Sequence, residues 1–330
     1  MNERGLLDLI IALLPGLEIR ERVRLLQEFD REEDLIVRSK ADIENYLGRR
    51  MKPFWDMEQI RAKAERDDMI CRMRSIERVS FTDAAYPPLL REIYDPPAVV
   101  FYRGHLPDPE KPLLAMVGTR RPSPEGRAQA YAIGHGLGRA GFSVVSGLAL
   151  GIDAMSHRGN LDGGAPGYAV LGSGVDEIYP SSNRSLAKRI LDSGGALVSE
   201  YPPGTSPRKW NFPARNRIVS ALARSVLIVE APQCSGALIT ARLALGQDRD
   251  LWVASSGVRA ERDYLLYDKR GGVKLAAEGA EIIYSARDVL DKWNLEIACN
   301  NNDLTALAGS VNVSGRELAA SLANYLEIEL

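Results

Sequence analysis

Two patterns of hydrophobic and polar positions divide the chain. Up to about residue 75, apolar residues recur at spacings of three and four, as in "LLDLIIALL" and "FWDMEQIRAKAERDDMI", and this periodicity predicts helices. From about residue 80, short continuous apolar runs bounded by glycine alternate with stretches of helical periodicity. Continuous runs of this kind are typical of parallel strands that are covered on both faces. The pattern therefore predicts a helical N-terminal region followed by an α/β region.

Eight apolar runs are the predicted strands. In chain order they read "AVVFYRG", "PLLAMVG", "FSVVSG", "GYAVLG", "ALVSEY", "SVLIVEA", "LWVASS" and "EIIYSA". Helical stretches fall between most of them, which favours βαβ units and a doubly wound, mostly parallel sheet.

Three regions are expected along the chain. Residues 1–75 form a small helical domain of SAM- or helix-hairpin-helix-like type, residues 76–295 the sheet domain, and residues 296–330 a short helical segment. In the first region, "LLPGLEIRERVRLLQEF" resembles a helix-hairpin-helix, whose hairpin amides hold a DNA phosphate. The second hairpin glycine is missing, because Glu18 lies two positions past Gly16. A DNA contact and a packing or interaction module both stay open for this region.

Composition limits the classes of function. The net charge is −2, so a site for a polyanion must be a local basic patch. The three cysteines, Cys71, Cys234 and Cys299, have no metal-binding spacing, and so sparse and odd a number fits a reducing cytoplasm. The N-terminal stretch lacks the basic region and cleavage site of a signal peptide, and no segment approaches the roughly 20 apolar residues of a membrane span. We therefore expect a cytoplasmic protein without a membrane partner.

The loop after "LLAMV" carries the first candidate chemistry. Ligands of an open parallel sheet lie beyond the carboxyl ends of its strands. A dinucleotide-binding protein would carry a G-x-G-x-x-G turn here, but this chain has Gly118, Thr119, Arg120 and Arg121. Arginines in place of glycines indicate a different anionic ligand.

Two further turns combine serine and glycine ahead of a predicted helix. Ser146 and Gly147 form the first, and Ser235 and Gly236 form the second. The N-terminus of a helix presents free N–H groups and a partial positive charge, which suit an anion. The alternative for the first is a tight turn in which Asp153 acts as the helix cap.

The stretch after "ALVSE" combines cations with aromatic rings and contains no acidic residue between positions 208 and 217. Its basic and aromatic residues are Arg208, Lys209, Trp210, Phe212, Arg215 and Arg217. Cations for phosphates beside aromatic faces for unpaired bases are typical of a single-strand binding groove. The alternative is that the rings are core anchors with arginines at their rim. Because Pro213 follows it, Phe212 is expected to have an extended backbone that holds its ring clear of the surface, which favours it over Trp210.

Motifs for catalysis are missing from the sequence. It contains neither a Walker A lysine motif nor H-E-x-x-H, and no cysteine or serine beside His157 forms a nucleophile elbow. His105 and His135 are expected to be structural. We therefore expect no catalytic residues, no metal site and no cofactor.

Seven blocks of the sequence resemble the DprA/Smf family, the DNA-processing proteins of natural transformation. In the family's order they read "YPPLLREIYDPPAVVFYRG", "VGTRRPS", "SGLALGIDAMSHRG", "LGSGVDEIYPSSN", "SEYPPGTSP", "FPARNRIVSAL" and "SGALITA". The resemblance weakens after Ser256, where "GVRAERDYLLYDKRGGVKLAAEGA" replaces the family's proline-glycine loop. The C-terminal tail resembles only a shortened winged helix.

The resemblance implies an extended Rossmann-like domain that binds single-stranded DNA, forms a homodimer and loads a RecA-type recombinase. It implies that Gly118, Thr119 and Arg120 hold the phosphate backbone and that Lys209 and Arg217 add positive charge.

The resemblance also implies that Phe212 meets a base. Pattern and resemblance together give the predicted DNA-binding residues. They are Gly118, Thr119, Arg120, Arg121, Ser146, Gly147, Lys209, Phe212, Arg215, Asn216, Arg217, Ser235 and Gly236.

Two other classes of function are open. The fold and "SGLALGID" are also similar to nucleotide phosphoribohydrolases, but those carry P-G-G-x-G-T-x-x-E, whereas "GGALVSEYPPGTSP" has no glutamate at that spacing. A scaffold that binds only proteins would leave the acid-free stretch of arginines and aromatic residues unexplained.

Overall fold

The computed structural model describes residues 6–52, 55–258 and 267–293. The strands are β1 (Glu77–Ser80), β2 (Val99–Gly104), β3 (Leu113–Val117), β4 (Ser143–Ser146), β5 (Tyr168–Val170), β6 (Ala196–Ser199), β7 (Ser225–Ile228), β8 (Asp250–Ala254) and β9 (Glu281–Ile283). The N-terminal helices are α1 (Leu7–Leu13), α2 (Ile19–Glu28), α3 (Glu32–Ile36), α4 (Lys40–Leu47) and α5 (Met57–Met73).

The remaining α-helices lie between or after the strands. They are α6 (Pro88–Arg91), α7 (Pro124–Arg139), α8 (Ile152–Asp162), α9 (Arg184–Asp192), α10 (Asn211–Ala221), α11 (Gly236–Gly246), α12 (Arg270–Ala277) and α13 (Ala286–Lys292). Short 3₁₀ turns occur at Ser181–Asn183 and Ser255–Gly257. The predicted C-terminal segment, residues 296–330, lies outside the described residues.

All nine strands form one sheet, in the order β1-β2-β6-β5-β4-β3-β7-β8-β9. The pairs β1–β2 and β2–β6 are antiparallel, and every other neighbouring pair is parallel. The predicted α/β fold with a doubly wound, mostly parallel sheet is therefore confirmed. Each of the eight predicted runs contains a strand, and β1 is the strand that the hydrophobic pattern missed.

Strand β3 shows why the runs are continuous. Leu114 and Met116 belong to a core cluster that also holds Ile133 of α7, whereas Ala115 and Val117 belong to a different cluster. Alternate side chains therefore enter two separate cores on the two faces of the sheet. A strand buried in this way has no polar face, so the sequence does not alternate.

The N-terminal helices pack on the antiparallel side of the sheet. Leu7 and Ile10 of α1 share a core cluster with Phe101 of β2. Arg78 of β1 donates to Asp8 of α1 at 2.6 Å, and a second nitrogen of the same guanidinium reaches Asp68 of α5 at 2.6 Å. Burial nevertheless raises the pKa of Asp8, although Arg78 opposes the shift. A half-buried arginine therefore joins the helical region to the sheet edge, while the domain boundaries at 75 and 295 stay a prediction.

Strand β3 is the point at which the sheet reverses its winding. The chain proceeds from β3 through β4 and β5 to β6 on one side, and then returns so that β7 pairs with the other side of β3. The carboxyl ends of β3 and β7 flank this switch point, where open α/β sheets bind their ligands. Within the described ranges, no helix is long and apolar enough to cross a membrane.

Candidate nucleic-acid interface

Loops from three strand ends meet at the carboxyl edge of the parallel sheet. Arg120 follows β3, Tyr179 lies in the loop after β5, and Phe212 follows β6 at the start of α10. The Arg120 guanidinium lies over the Phe212 ring, 5.9 Å from its centroid. The Tyr179 and Phe212 ring centroids are 5.4 Å apart, with their planes inclined by 41°. Residues far apart in the sequence thus form one cluster of a cation and two rings.

The loop after β3 has a fixed base and two exposed cations. The Thr119 amide donates to the Glu230 carbonyl at 2.8 Å, and the Thr119 carbonyl accepts from the Ile152 amide at 3.2 Å. A Cβ on Gly118 would lie 2.6 Å from the Ile152 side chain and 2.9 Å from the Glu230 carbonyl oxygen, so only glycine fits there. Arg120 and Arg121 project from this base into solvent.

The predicted phosphate contacts from this loop therefore need a correction. The Thr119 amide is committed to Glu230, so it is not available to a phosphate. The Thr119 hydroxyl accepts from the Arg121 amide at 3.2 Å, which shapes the loop. Only the Thr119 amide is ruled out in this way; phosphate contacts from Gly118, the Thr119 hydroxyl and the two arginine side chains stay a prediction.

A buried carboxylate, Glu230, fixes the start of helix α7 beside this loop. It accepts from the Ser123 amide at 2.8 Å and from the Ser123 hydroxyl at 2.5 Å. The Lys269 ammonium lies 3.4 Å from the same carboxylate, and both side chains are buried. Gly126 allows the contact, because a Cβ there would lie 2.3 Å from the Glu230 carboxyl carbon. Glu230 was not among the predicted residues, although an acid directly after the apolar run "SVLIV" is a signal in the sequence.

The turn after β4 differs from the predicted anion site. The Gly147 and Ala149 amides donate to the Asp153 carboxylate at 3.1 and 3.3 Å. The Ser146 hydroxyl is buried and donates to the Met116 carbonyl at 2.6 Å. The prediction of free amides at Ser146 and Gly147 is wrong, because an internal carboxylate already occupies the turn. The turn is tight, as the alternative has it, but Asp153 is not the helix cap: the N-cap of α8 is Gly151, and Asp153 binds the turn from the first turn of the helix.

The acid-free stretch is not one exposed loop, because helix α10 begins at Asn211. The Arg217 guanidinium is 5% exposed and binds Glu200 through two hydrogen bonds of 2.8 and 2.6 Å. Its Nε atom also lies 3.1 Å from Asp95. The expected phosphate contact of Arg217 is therefore contradicted: acids distant in the sequence already neutralise it.

Arg215 is also buried, contrary to its predicted role as a phosphate ligand. Its guanidinium donates to the Val170 carbonyl and packs directly on Gly147. Burial lowers the pKa of Arg215 to about 10, and Asp153 opposes this shift. The neighbouring His157 is fully buried, and burial together with Arg215 lowers its pKa to about 3, so its ring is neutral. Arg215 and His157 are therefore part of the buried interior beside the strand ends.

The preference for Phe212 rested on a backbone conformation that the structure does not have. Phe212 lies in the first turn of α10, where Pro213 is tolerated, and is not extended. Its ring is half-buried, whereas Trp210 is 67% exposed, so the alternative of Trp210 as a core anchor is wrong. Whether either ring meets a base stays a prediction.

Four basic side chains are exposed around the cluster of rings. They are Arg120, Arg121, Arg208 and Lys209. The Arg208 guanidinium lies over the Trp210 ring at 5.6 Å. Among the described residues none of the four has an acidic partner within ion-pair distance. These unneutralised cations form the local basic patch that a chain of net charge −2 needs if it is to hold a polyanion.

The loop after β7 contributes the other side of the switch point. Gly236 begins α11 and is exposed, and Ser235 precedes it without capping the helix through its side chain. The Asn216 amide group donates to the Gly236 carbonyl at 3.4 Å, which joins α10 to α11. Ser235 and Gly236 therefore lie where predicted, at a helix N-terminus, and their contact with an anion stays a prediction.

The N-terminal hairpin is occupied by groups of the protein itself. The Trp55 indole donates to the Pro15 carbonyl at 3.0 Å, and Arg49 donates to the Gly16 carbonyl at 2.9 Å. The Glu18 amide donates to the Glu21 carboxylate at 2.8 Å, so it is not available to a phosphate. Carboxylates at the start of α2 repel phosphate, so this arrangement favours the packing module over a DNA contact.

Metal binding was not expected from the sequence. In the three ranges that the structure describes, no group of three or more His, Cys, Asp or Glu side chains is arranged to hold a metal ion.

The comparisons with known proteins assign the chain to a family. The sequence model of the family described as DNA recombination-mediator protein A matches residues 77–294. The chain belongs to this family, the DprA/Smf family, and the resemblance found in seven sequence blocks is confirmed.

Individual relatives agree with this assignment. Protein Smf of Synechocystis is 42% identical over 212 residues, which are 63% of this chain and 52% of that protein, so the chain spans about half of that relative. An X-ray structure of DNA processing protein A from Streptococcus pneumoniae covers 88% of this chain and 98% of its own, with 30% identity and a TM-score of 0.69.

A third similar protein is described by its ligand. This structure gives insights into the single-stranded DNA binding mode of DNA processing protein A from Helicobacter pylori. It is 27% identical, with a TM-score of 0.56, and covers 66% of this chain and 95% of its own.

Proposed function

We propose that the protein binds single-stranded DNA at the carboxyl edge of its sheet and acts in DNA processing during transformation and recombination. The observation that carries this proposal is the unneutralised Arg120 guanidinium over the Phe212 ring, with Tyr179 beside it. A cation offers a contact for a phosphate, and an adjacent ring offers one for a base. The family and the described DNA binding of the Helicobacter pylori relative support it.

The rings are needed because cations alone do not distinguish single strands from duplex. A duplex presents a denser row of phosphates and attracts arginines at least as strongly. A stacked duplex hides its base faces, whereas a single strand can place them on an aromatic side chain. Rings and cations together therefore favour a strand without a complement.

The experiment compares a labelled single strand with a duplex of the same length over a range of salt concentrations. If about four to six phosphates are neutralised, log affinity falls with log salt at a slope of about −3 to −4. An affinity independent of salt would contradict the phosphate contacts, and equal affinity for the duplex would contradict the contribution of the rings.

The proposal includes a homodimer that loads a RecA-type recombinase in the cytoplasm. Family membership supports these parts, and the sparse cysteines are consistent with the compartment. Sedimentation at micromolar concentration tests the dimer, and a monomer with full affinity for DNA would contradict it. Faster assembly of a RecA-type recombinase on coated single strands, caused by this protein, tests the loading.

We also propose that the site turns over no nucleotide. The sequence lacks the Walker A lysine motif and the glutamate of the phosphoribohydrolase motif. The cations at the strand ends contact rings instead of a candidate base or nucleophile. Release of free base from nucleoside monophosphates, abolished by Arg120→Ala, would overturn this part.

A further inference from the structure

The Phe212 ring is enclosed by its neighbours. A Cβ on Gly172 would lie 2.9 Å from a carbon of that ring, so the ring rests directly on the backbone at the end of β5. The Arg120 guanidinium lies over the ring, and the tilted Tyr179 ring lies beside it. A base that stacked flat on Phe212 would have to displace one of these side chains.

Tyr179, in contrast, is open to solvent. Its side chain is 46% exposed, and Phe212 is the ring that packs against it among the described residues. Tyr179 ends the stretch "GVDEIY" in the loop after β5, and its ring is tilted against the half-buried Phe212 ring at the carboxyl edge of the sheet. An exposed ring of this size has a face available to a ligand.

Phosphate-binding charge lies within reach of this open ring. Arg120 contacts the same Phe212 ring that Tyr179 contacts, so the cation and the exposed phenol flank one side chain. The base and the phosphate of a nucleotide are only a few bonds apart. The Arg120 guanidinium and the Tyr179 ring must therefore lie close together if they are to bind the same nucleotide. The shared contact with Phe212 keeps the guanidinium and the phenol in one cluster, 5.9 and 5.4 Å from the centre of that ring.

We infer that Tyr179 provides the stacking surface for an unpaired base, with Phe212 as its support and Arg120 at the adjoining phosphate. The inference rests on the proposed single-stranded DNA binding and assigns its base contact to a different residue from the one that the sequence predicted. Because every base has a π-face, a stacking contact of this kind tolerates any sequence.

The test combines protein variants with two strands of equal phosphate number, one of thymidine nucleotides and one of abasic nucleotides. Tyr179→Leu keeps apolar volume against Phe212 but removes the π-face. It should weaken binding of the thymidine strand by about 5- to 150-fold and leave binding of the abasic strand unchanged. Tyr179→Phe should bind both strands like the wild type. Tyr46→Ala removes a comparably exposed tyrosine that contacts Arg24 in the N-terminal region, and should change neither affinity.

Other outcomes overturn the inference. An equal loss on both strands would make Tyr179 a structural residue, and no loss on either would leave it outside the site. If Phe212→Leu abolishes the preference for the thymidine strand and Tyr179→Leu does not, the base contact belongs to Phe212. Failure of the proposed function is distinguishable, because wild-type protein would then bind neither strand with a dependence on salt.

Discussion

Two pairs of arginines, in the loop after β3 and in helix α10, look equivalent in the sequence and differ completely in the structure. Arg120 and Arg121 are exposed and have no acidic partner among the described residues. Arg215 and Arg217 are buried and hold a carbonyl and a carboxylate of the protein itself. The difference teaches that basic composition locates a site, while the acids that fold against each cation decide which charges are left for a ligand.

The largest difference between the pairs should appear in stability. Arg217→Ala leaves Glu200 partly buried without its partner, and we expect the free energy of unfolding to fall by about 3–5 kcal/mol. Arg121→Ala should change the free energy of unfolding by less than about 0.5 kcal/mol, because the exposed Arg121 side chain has no acidic partner to lose among the described residues. Urea unfolding of both variants measures this. Equal stabilities would mean that the Arg217 ion pair does not support the fold.

The contact of Arg215 with the turn after β4 can be tested by overpacking. A Cβ on Gly147 would lie 2.3 Å from the Arg215 guanidinium, which is buried and cannot move aside into solvent. We expect Gly147→Ala to lower the free energy of unfolding by about 1–3 kcal/mol. Gly246→Ala is the matched control, because a Cβ at Gly246 meets nothing within 4 Å. Similar stability of the two variants would show that the turn adapts freely.

The buried His157, which lies beside Arg215, should make the stability of the protein depend on pH. Since the pKa of His157 is lowered to about 3 in the folded protein, the unfolded chain binds one more proton between about pH 6.5 and 3. This group therefore contributes stability that is complete above pH 6.5 and is lost at about 1.4 kcal/mol per pH unit as the pH falls below that value. Urea unfolding at several pH values, compared with His157→Leu, isolates the contribution. The same pH dependence in both proteins would contradict it.

The smallest effects belong to the exposed cations and concern DNA alone. Arg120→Ala and Lys209→Ala should each make the salt slope shallower by about 0.7 and weaken single strands of any sequence alike, because each removes a contact to phosphate. The melting temperature should not change. Arg66→Ala, which removes an exposed arginine of α5, is the control for loss of net charge. A loss confined to one DNA sequence would indicate a base contact instead.

Hydrophobic pattern predicted the parallel strands at the centre of the sheet because their residues face apolar cores on both sides, and it also predicted the edge strand β9. It missed β1, since Glu77 in that strand is exposed and Arg78 is half-buried in ion pairs with Asp8 and Asp68, and such pairing leaves no apolar signal. The strand ends were found because glycine and arginine follow the apolar runs. The burial and the ion pairing of each arginine were not predictable, because acids such as Glu200 and Asp153 lie far from their partners in the sequence and come close only in the folded chain.

Phe212 illustrates a different failure. A residue before proline usually has an extended backbone, but Phe212 and Pro213 lie in the first turn of α10 and are helical. Proline is tolerated there because an amide in the first turn has no hydrogen bond within the helix to lose. The family could be identified nevertheless, because its motifs follow the strand ends in order, and that order does not depend on the state of any one side chain.

The position of β7 between β3 and β8 has a consequence for synthesis of the chain. Until residues 225–228 leave the ribosome, β3 has β4 on one side and an open edge on the other. Open edges with apolar faces are the surfaces through which incomplete chains associate. The basic loop after β3 is made early, whereas its ring partner at position 212 and the closing strand arrive about a hundred residues later. A nascent chain therefore exposes the basic loop before the ring that packs against it and before the strand that completes the centre of the sheet.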